Sequence, residues 1–404
     1  MFKHTFHEKK ATARSGAALL LPIMAVVFIA YLVIGLAMPV LPLHVHQGLG
    51  FDSFVVGLVA GSQFAASLFS RVWAGHHVDY KGSKHTVIAG LAAAVVSGLF
   101  YLLSLYFVTS PMTSVNFLLL GRAALGVAES FIMTGSLLWG VGLLGDSNAG
   151  KAMSWIGTAL FAALAISAPL GTALYAGYGF LAVALAATVL PVVGLPLVSP
   201  LPATPPPPQK AGTFGKVAGV VWMPGVGLAL SGIGFGATTT FVALVYAEHG
   251  WEGTWLAFTL LSVAFMIARA FLGHLPDKFG GARVALACVM LEGFGLALLW
   301  LATGPKLALL GVTLTGLGYS LVYPALGVEA IRRAPPEAHG LAMGTYTAFY
   351  DLTMGIGTPL LGSLANRAGL QAVFLISALS AFCSAPVAWW LMTTPKRPLR
   401  AGRV

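Results

Sequence analysis

Twelve apolar runs, separated by short polar or Gly/Pro breaks, limit what this chain can fold into. Most are roughly 18 to 26 residues long, and a bilayer core takes about 20 helical residues to cross. Only 8% of the 404 residues are charged while 58% are hydrophobic, so lipid rather than water is the solvent for most of the chain. The runs predict membrane-spanning helices over 17–42, 54–74, 86–108, 114–139, 152–175, 181–198, 217–245, 254–275, 284–303, 307–328, 340–364 and 370–392. The first run, Ala17 to Val40, is too long for the apolar region of a secretion signal and is read as helix 1.

The formal charge of +10 would suggest a nucleic-acid partner in a soluble protein, but its placement makes it a topology signal. Lys3, Lys9, Lys10 and Arg14 precede the first span, and Lys81, Lys84, Lys151, Lys210, Lys216, Lys278, Arg283, Arg332, Arg333, Lys396, Arg397, Arg400 and Arg403 fall in alternate loops and the tail. Among loop residues only Lys306 and Arg367 fall on the other side. By the positive-inside rule both termini are expected in the cytoplasm, with the lipid bilayer rather than nucleic acid as the partner of this charge. Cys288 and Cys383 both lie within apolar spans, so neither a disulfide framework nor a thiolate metal site is expected.

The one long internal break, 199–216, carries a run of prolines that cannot continue a helix. It divides the chain into a first half, 1–198, and a second half, 217–404, of six spans each. The halves repeat one another. Arg71, Gly75, His76, Asp79 and Gly82 recur as Arg269, Gly273, His274, Asp277 and Gly280, all displaced by 198 residues. Gly150, Ala152, Met153, Pro169 and Leu170 recur as Gly340, Ala342, Met343, Pro359 and Leu360, displaced by 190. Two ordered echoes at equivalent places argue for duplication. Parallel six-helix halves with a site between them are a transporter architecture, which works by rocking one half against the other.

These residues resemble the major facilitator superfamily, over almost the whole chain. The family's signature between spans 2 and 3 is present as Gly75, Asp79, Gly82 and Lys84, with a second copy ending in Arg283. Gly121, Arg122 and Gly126 in span 4 are similar to the Arg-containing motif of proton-driven drug antiporters, and the stretch Gly318 to Gly362 looks like the bacterial arabinose-efflux-type permeases. In span 5, Ala168, Pro169, Leu170 and Gly171 look like a degenerate form of the Gly-Pro motif that the family associates with export. The glycines that the motif would place around the proline are here Ala168, Thr172 and Ala173, and a kink with close helix packing explains the same residues.

A charge at mid-membrane costs about 3 kcal/mol on insertion scales, so each calls for a role. Arg122 and Glu129 are seven residues apart on one helix, so they lie within about 20° of one face and about 10 Å apart along the axis. Gly126 sits between them on that face, leaving a gap where a solute or another helix can approach. Glu129 is read as a carboxyl that takes a proton from one side and releases it to the other, with Arg122 biasing it or holding a solute anion. The competing reading is a static ion pair or a permanently protonated acid. Asp351, about 11 residues into helix 11, is a second proton-site candidate, against the alternative of an aspartate bonded to its own helix.

Glu292 is read as a bonded or protonated acid, since the resemblance places helix 9 on the periphery, and Glu329 as an interfacial partner of Arg332 and Arg333. The resemblance further implies that Asp79 reaches the start of helix 11 near Gly340 when the inside is closed, and repeat symmetry would take Asp277 to the start of helix 5 near Gly150. With Arg71, Gly75, Gly82, Arg269, Gly273, Gly280 and Pro169 these aspartates form the expected gating set, against simple solvation of the loops. Tyr31, Gln63, Thr238, Thr239, Thr240, Tyr319, Tyr323 and Tyr350 are polar candidates for the cavity wall, each open to the alternative of helix-packing glue. His44, His46, His76 and His77 have no supporting carboxylate or cysteine cluster, so no metal or other cofactor is expected.

An all-α integral membrane protein of twelve helices in two pseudo-symmetric halves, working as a proton-coupled exporter of a small organic solute, is therefore expected. Glu129 and Asp351 would carry protons, and Arg122, Glu129, Tyr31, Gln63, Thr239, Tyr319, Tyr323 and Tyr350 would hold the solute. The expected setting is a bacterial-type inner membrane, as a monomer. A proton-coupled importer is the alternative of the same fold, and a non-transporting sensor or scaffold that of another class. An enzyme is not expected, because no nucleophile with a base or metal cluster is visible. Helix 1 carries no acidic residue, which weakens the case for cationic drugs and keeps anionic, zwitterionic or sugar-like solutes in play.

Overall fold

The computed structural model describes residues 2–145, 149–204, 214–335 and 339–394, and their side chains apart from 2–18, 149–151, 214–217 and 340. Most of the proline run, with Lys210, and the tail residues Lys396, Arg397, Arg400 and Arg403 lie outside the described residues. Twelve long helices follow in chain order. The first half holds α1 (Phe2–Ala37), α2 (Ser53–Lys81), α3 (Ser83–Tyr106), α4 (Pro111–Leu144), α5 (149–178) and α6 (180–198). The second holds α7 (Phe214–Glu248), α8 (Thr254–Leu272), α9 (Gly281–Trp300), α10 (Pro305–Arg333), α11 (His339–Ala368) and α12 (Leu370–Thr393).

Local chemistry sets the helix ends. Asp52 caps α2, its Oδ1 accepting from the Val55 N–H at 3.0 Å, and Pro111 and Pro305 open α4 and α10, where a missing N–H costs nothing. Between α5 and α6 the chain turns at Gly179, whose φ of 68° breaks what is otherwise one apolar run. Among the described residues ten helices are long and apolar enough to cross a membrane, and one of these spans, 152–198, is 47 residues long, enough for two crossings about Gly179. The twelfth crossing, α11, falls short on hydropathy because Thr345, Thr347, Asp351, Thr353, Thr358 and Asn366 interrupt it. Of these, Thr345, Asp351 and Thr358 are buried, while Leu352, Ile356 and Leu360 leave an exposed apolar stripe on another side of the helix.

One boundary differs from the sequence expectation in a way that matters. Helix α2 runs on to Lys81, so Gly75, His76 and Asp79 are helical, and the turn is confined to Gly82, with φ 81°. In the second copy α8 stops at Leu272 and a short helix, Leu275–Phe279, carries Asp277 before the turn at Gly280, with φ 91°. The two turn glycines are repeat-equivalent and share a positive φ that only glycine adopts cheaply.

The halves meet mainly along α2 with α11 and α5 with α8. One end of the bundle carries the α2–α3 turn and the linker; at the opposite, far end α2 and α11 pack closely. A Cβ on Gly57 would stand 2.3 Å from the Thr358 carbonyl oxygen, and one on Gly362 2.1 Å from that of Ser53. Asn366 ties the same end, accepting from the Ser53 N–H at 2.9 Å and donating to Asp52 at 2.7 Å. At the linker end Lys84 donates to the Ser199 and Leu201 carbonyls at 2.6 and 2.8 Å, so this basic residue of the repeated motif docks the start of the linker.

Candidate functional site

Helices α1, α2, α4 and α11 bring five of the polar side chains together near the middle of the bundle. Glu129 on α4 accepts from the Tyr31 hydroxyl of α1 at 3.3 Å and from Gln63 Nε2 of α2 at 2.8 Å. Close by, Arg71 of α2 reaches across to Asp351 of α11, and the two form a bidentate ion pair between the halves: Nε bonds Oδ2, and Nη2 bonds Oδ1 at 3.0 Å. Arg71 also lies within electrostatic reach of Glu129, so both candidate proton carriers share one guanidinium. Asp351 is fully buried while the Arg71 side chain stays 26% exposed, which leaves the pair an approach from one side. Tyr350, next to Asp351, meets Phe64 of the other half edge-on at 5.8 Å.

Several candidates have partners that the sequence does not indicate. Arg71, a residue of the expected gate, is the partner of Asp351, and Asp351 is held by that cation rather than by its own helix. Arg122 and Glu129 do not pair, against the static ion-pair reading, and of the two alternatives for the gap at Gly126 it is a helix, α2, that fills it: a Cβ there would fall 2.0 Å from the Gln63 carbonyl oxygen. Glu129 consequently turns to Gln63 and Tyr31, while Arg122, 5% exposed, lines a space with Gln63, Phe64, Met38, Thr239 and Thr240. Glu329 has the expected ion-pair partner in Arg333 but not in the exposed Arg332; it is buried, and it also accepts from the Ala282 N–H at the start of α9.

The remaining candidates divide. Thr239 lines the Arg122 space and also a second, about 470 Å³, bounded by Phe161, Phe235 and Phe265, but its hydroxyl bonds back to Phe235 of its own helix at 2.9 Å. Thr238 does the same to Gly234. Tyr319 is buried against Phe235, ring centroids 4.8 Å apart, and Tyr323 bonds Thr347 at 2.7 Å and receives a bond from Tyr346 on its carbonyl, so these two pack α10 rather than face open space. Glu292 is fully buried and accepts from Ser231 of α7, as the bonded-acid reading requires. The small residues around Pro169 seat α5 on α1: a Cβ on Gly171 would fall 2.3 Å from the Leu36 carbonyl oxygen. Asp79 and Asp277 have no hydrogen bond or ion pair among the described residues. His44 stacks on Phe180 at 4.2 Å and His77 bonds Thr86, and the described residues hold no cluster fit for a metal.

Two arginines, Arg71 and Arg269, lie inside the predicted spans but are not counted among the buried charges there. Their repeat symmetry was the available signal. Arg269 lies over the Phe161 ring, 4.6 Å from its centroid, with Nη2 3.4 Å from the Ser320 carbonyl oxygen. Phe161 and Asp351 are 190 residues apart, the displacement of Pro169 from Pro359, so they occupy equivalent places in the two halves. One arginine therefore crosses to a carboxylate and its counterpart to an aromatic ring.

The sequence profile of the Major Facilitator Superfamily matches residues 23–280 and 225–403. Among curated proteins, the uncharacterized MFS-type transporter STM4428 of Salmonella typhimurium is 42% identical over 381 residues, spanning 94% of this chain and 98% of its own. The MFS-type transporter YhhS of Escherichia coli K12 is 40% identical over 391 residues, 95% of each chain. Two solved structures share the fold at 15% identity. They are the nucleoside transporter NupG, with a TM-score of 0.71 over 93% of this chain and 100% of its own, and a D-xylose-proton symporter, with 0.74 over 95% and 99%.

Proposed function

Because the chain belongs to the major facilitator superfamily, and its relatives are transporters rather than enzymes, we propose that it moves a small organic solute across a bacterial inner membrane in a cycle coupled to protons. The Arg71–Asp351 pair between the halves carries this reading. Alternating access separates the halves on one side and then the other. When α2 and α11 part, Asp351 loses its cation, and a bare carboxylate in a low-dielectric site is costly until a proton neutralises it. Proton occupancy and conformation are then linked, as coupling requires. Glu129, beside the same guanidinium, is the second carrier.

In this reading the termini and the linker 199–216, which joins the halves 1–198 and 217–404, face the cytoplasm, and the chain works as a monomer. The far end, where Asn366 ties Asp52, is then the outer end, and it is closed. Asp79 and Asp277 are cytoplasmic latches that engage when the inside shuts; their lack of partners among the described residues fits a conformation open to the inside. Export in exchange for protons is the direction that the Ala168–Gly171 segment supports, and it needs solute and proton to compete for the site. A second reading, import with protons, is favoured by the uncompensated Arg122: each proton taken by an acid leaves the site more positive and a better host for an anion.

The test is proton movement in inside-out vesicles with an acid interior, on adding sugars, amino acids, organic acids and cationic drugs. Solute-evoked proton release in the wild type that Glu129→Gln abolishes is the expected sign of antiport. Solute-driven movement with no proton flux, unchanged in Glu129→Gln and Asp351→Asn, would overturn the coupling.

A further inference from the structure

We propose that Arg122 and Gln63 form the recognition point for a small organic monoanion, a carboxylate that also carries an O–H or N–H donor. This deepens the transport reading by naming its solute class. Three arginines lie between or beside the halves, and two have partners: Arg71 has Asp351, and Arg269 has the Phe161 ring and the Ser320 carbonyl. Arg122 has none among the described residues. It is 5% exposed, its Nε and Nη1 are buried without a hydrogen-bond acceptor, and no ring lies beneath it. The nearest acid along its own helix, Glu129, is taken up by Tyr31 and Gln63.

A buried guanidinium left bare is among the costliest groups a protein can keep, and it persists where a ligand completes it. The planar guanidinium sets Nη2 beside each of these two nitrogens, and either edge, Nε with Nη2 or Nη1 with Nη2, matches a carboxylate. A second unmet group sets the other half of the chemistry. Gln63 gives its Nε2 to Glu129, but its Oε1 is buried and accepts nothing, although the residue lines the same space. That oxygen calls for a donor on the ligand, as an α-hydroxy acid supplies. Apart from Thr239 and Thr240 the rest of the wall is apolar, including Ile34, Met38, Val56, Val59 and Phe64. A single guanidinium against such a wall suits one negative charge and a hydrocarbon body, and it lacks the further cations or N–H groups that a phosphate dianion would need.

The probes are mandelate, its uncharged amide mandelamide, phenylacetate, which lacks the hydroxyl, and phenyl phosphate. The readout is the thermal unfolding midpoint of the purified full chain. Mandelate well above its dissociation constant should raise the midpoint by several degrees, phenylacetate by less, and mandelamide and phenyl phosphate by nothing measurable. Arg122→Gln should melt at or above the wild type without a probe, because it removes an uncompensated charge, and mandelate should no longer shift it. Equal stabilisation by mandelamide, no response of the wild type to mandelate, or a retained response in Arg122→Gln would each overturn the assignment. So would an Arg122→Gln protein that melts well below the wild type, since it would show that the guanidinium is held by the protein itself. A phosphate preference would replace the carboxylate class. Equilibrium binding does not need proton coupling, so this result stands or falls apart from the vesicle measurement.

Discussion

At the scale of single residues, the Arg71–Asp351 pair sets the sharpest expectation. Breaking a fully buried pair by removing one partner costs about 3–5 kcal/mol. Here the Arg71 side chain is 26% exposed, water screens the orphaned cation, and about 2 kcal/mol is expected for Asp351→Asn. The double variant Arg71→Gln, Asp351→Asn leaves no bare charge and should recover most of that loss in a thermal melt, yet it should not recover proton coupling. A double variant that couples normally would make the pair structural only. The sequence located Asp351 and Glu129 correctly as charges in membrane spans, because that cost can be read from one helix at a time. It missed Asp351's partner because Arg71 is 280 residues away, and turn-counting along α2 does not say which helix that face will meet. The seven-residue spacing that sets Arg122 and Glu129 on one face is real, but counting along α4 does not show that α2 seats itself on Gly126 and claims Glu129 through Gln63.

Among the elements, α2 and α11 form the seam on which opening at the far end depends. Backbones approach there because Gly57, Gly61, Gly355 and Gly362 offer no side chain, and Thr358 bonds the Gly57 carbonyl at 3.0 Å across the seam. A Cβ on Gly61 would stand 2.6 Å from Thr358 Oγ1 and 2.8 Å from the Gly355 carbonyl oxygen, so any larger residue must push the helices apart. Gly61→Val should therefore shift the population toward the conformation open at the far end. Spin labels at the exposed positions Phe54 and Leu360 would report it as a longer distance in Gly61→Val than in the otherwise identical wild type. An unchanged distance would mean that the seam repacks without opening. The helices themselves were legible, since runs long enough to span announce themselves and the turn glycines Gly82 and Gly280 mark equivalent ends. The role of the Pro169 segment was not, because small residues serve export motifs and helix packing alike, and the close seat of Gly171 on Leu36 fits both.

For the whole molecule, the duplication makes the halves alike and the site makes them differ. Arg71 and Arg269 are equivalent, but Asp351 faces one and Phe161 the other, so of these two crossings only the α2–α11 one carries a carboxylate that a proton can discharge. Counting Arg71, Arg122 and Arg269 against Glu129 and Asp351 gives three positive and two negative charges, a net +1 with both acids ionised. One bound proton takes this to +2 and a second to +3. Each step strengthens the attraction for an anion in a medium where charges are poorly screened, so on the import reading proton and anion bind together, whereas the export reading requires them to compete. Mandelate affinity should then rise as pH falls through the titration of the two acids, and Glu129→Gln, fixed in its neutral form, should bind more tightly at neutral pH and lose much of that dependence. Isothermal titration of the purified chain across the pH range measures both. Linkage makes the sign decisive for the cycle: tighter anion binding on protonation loads both ligands on the same side and drives import down the proton gradient. Weaker binding on protonation would instead establish the competition that proton-driven export requires.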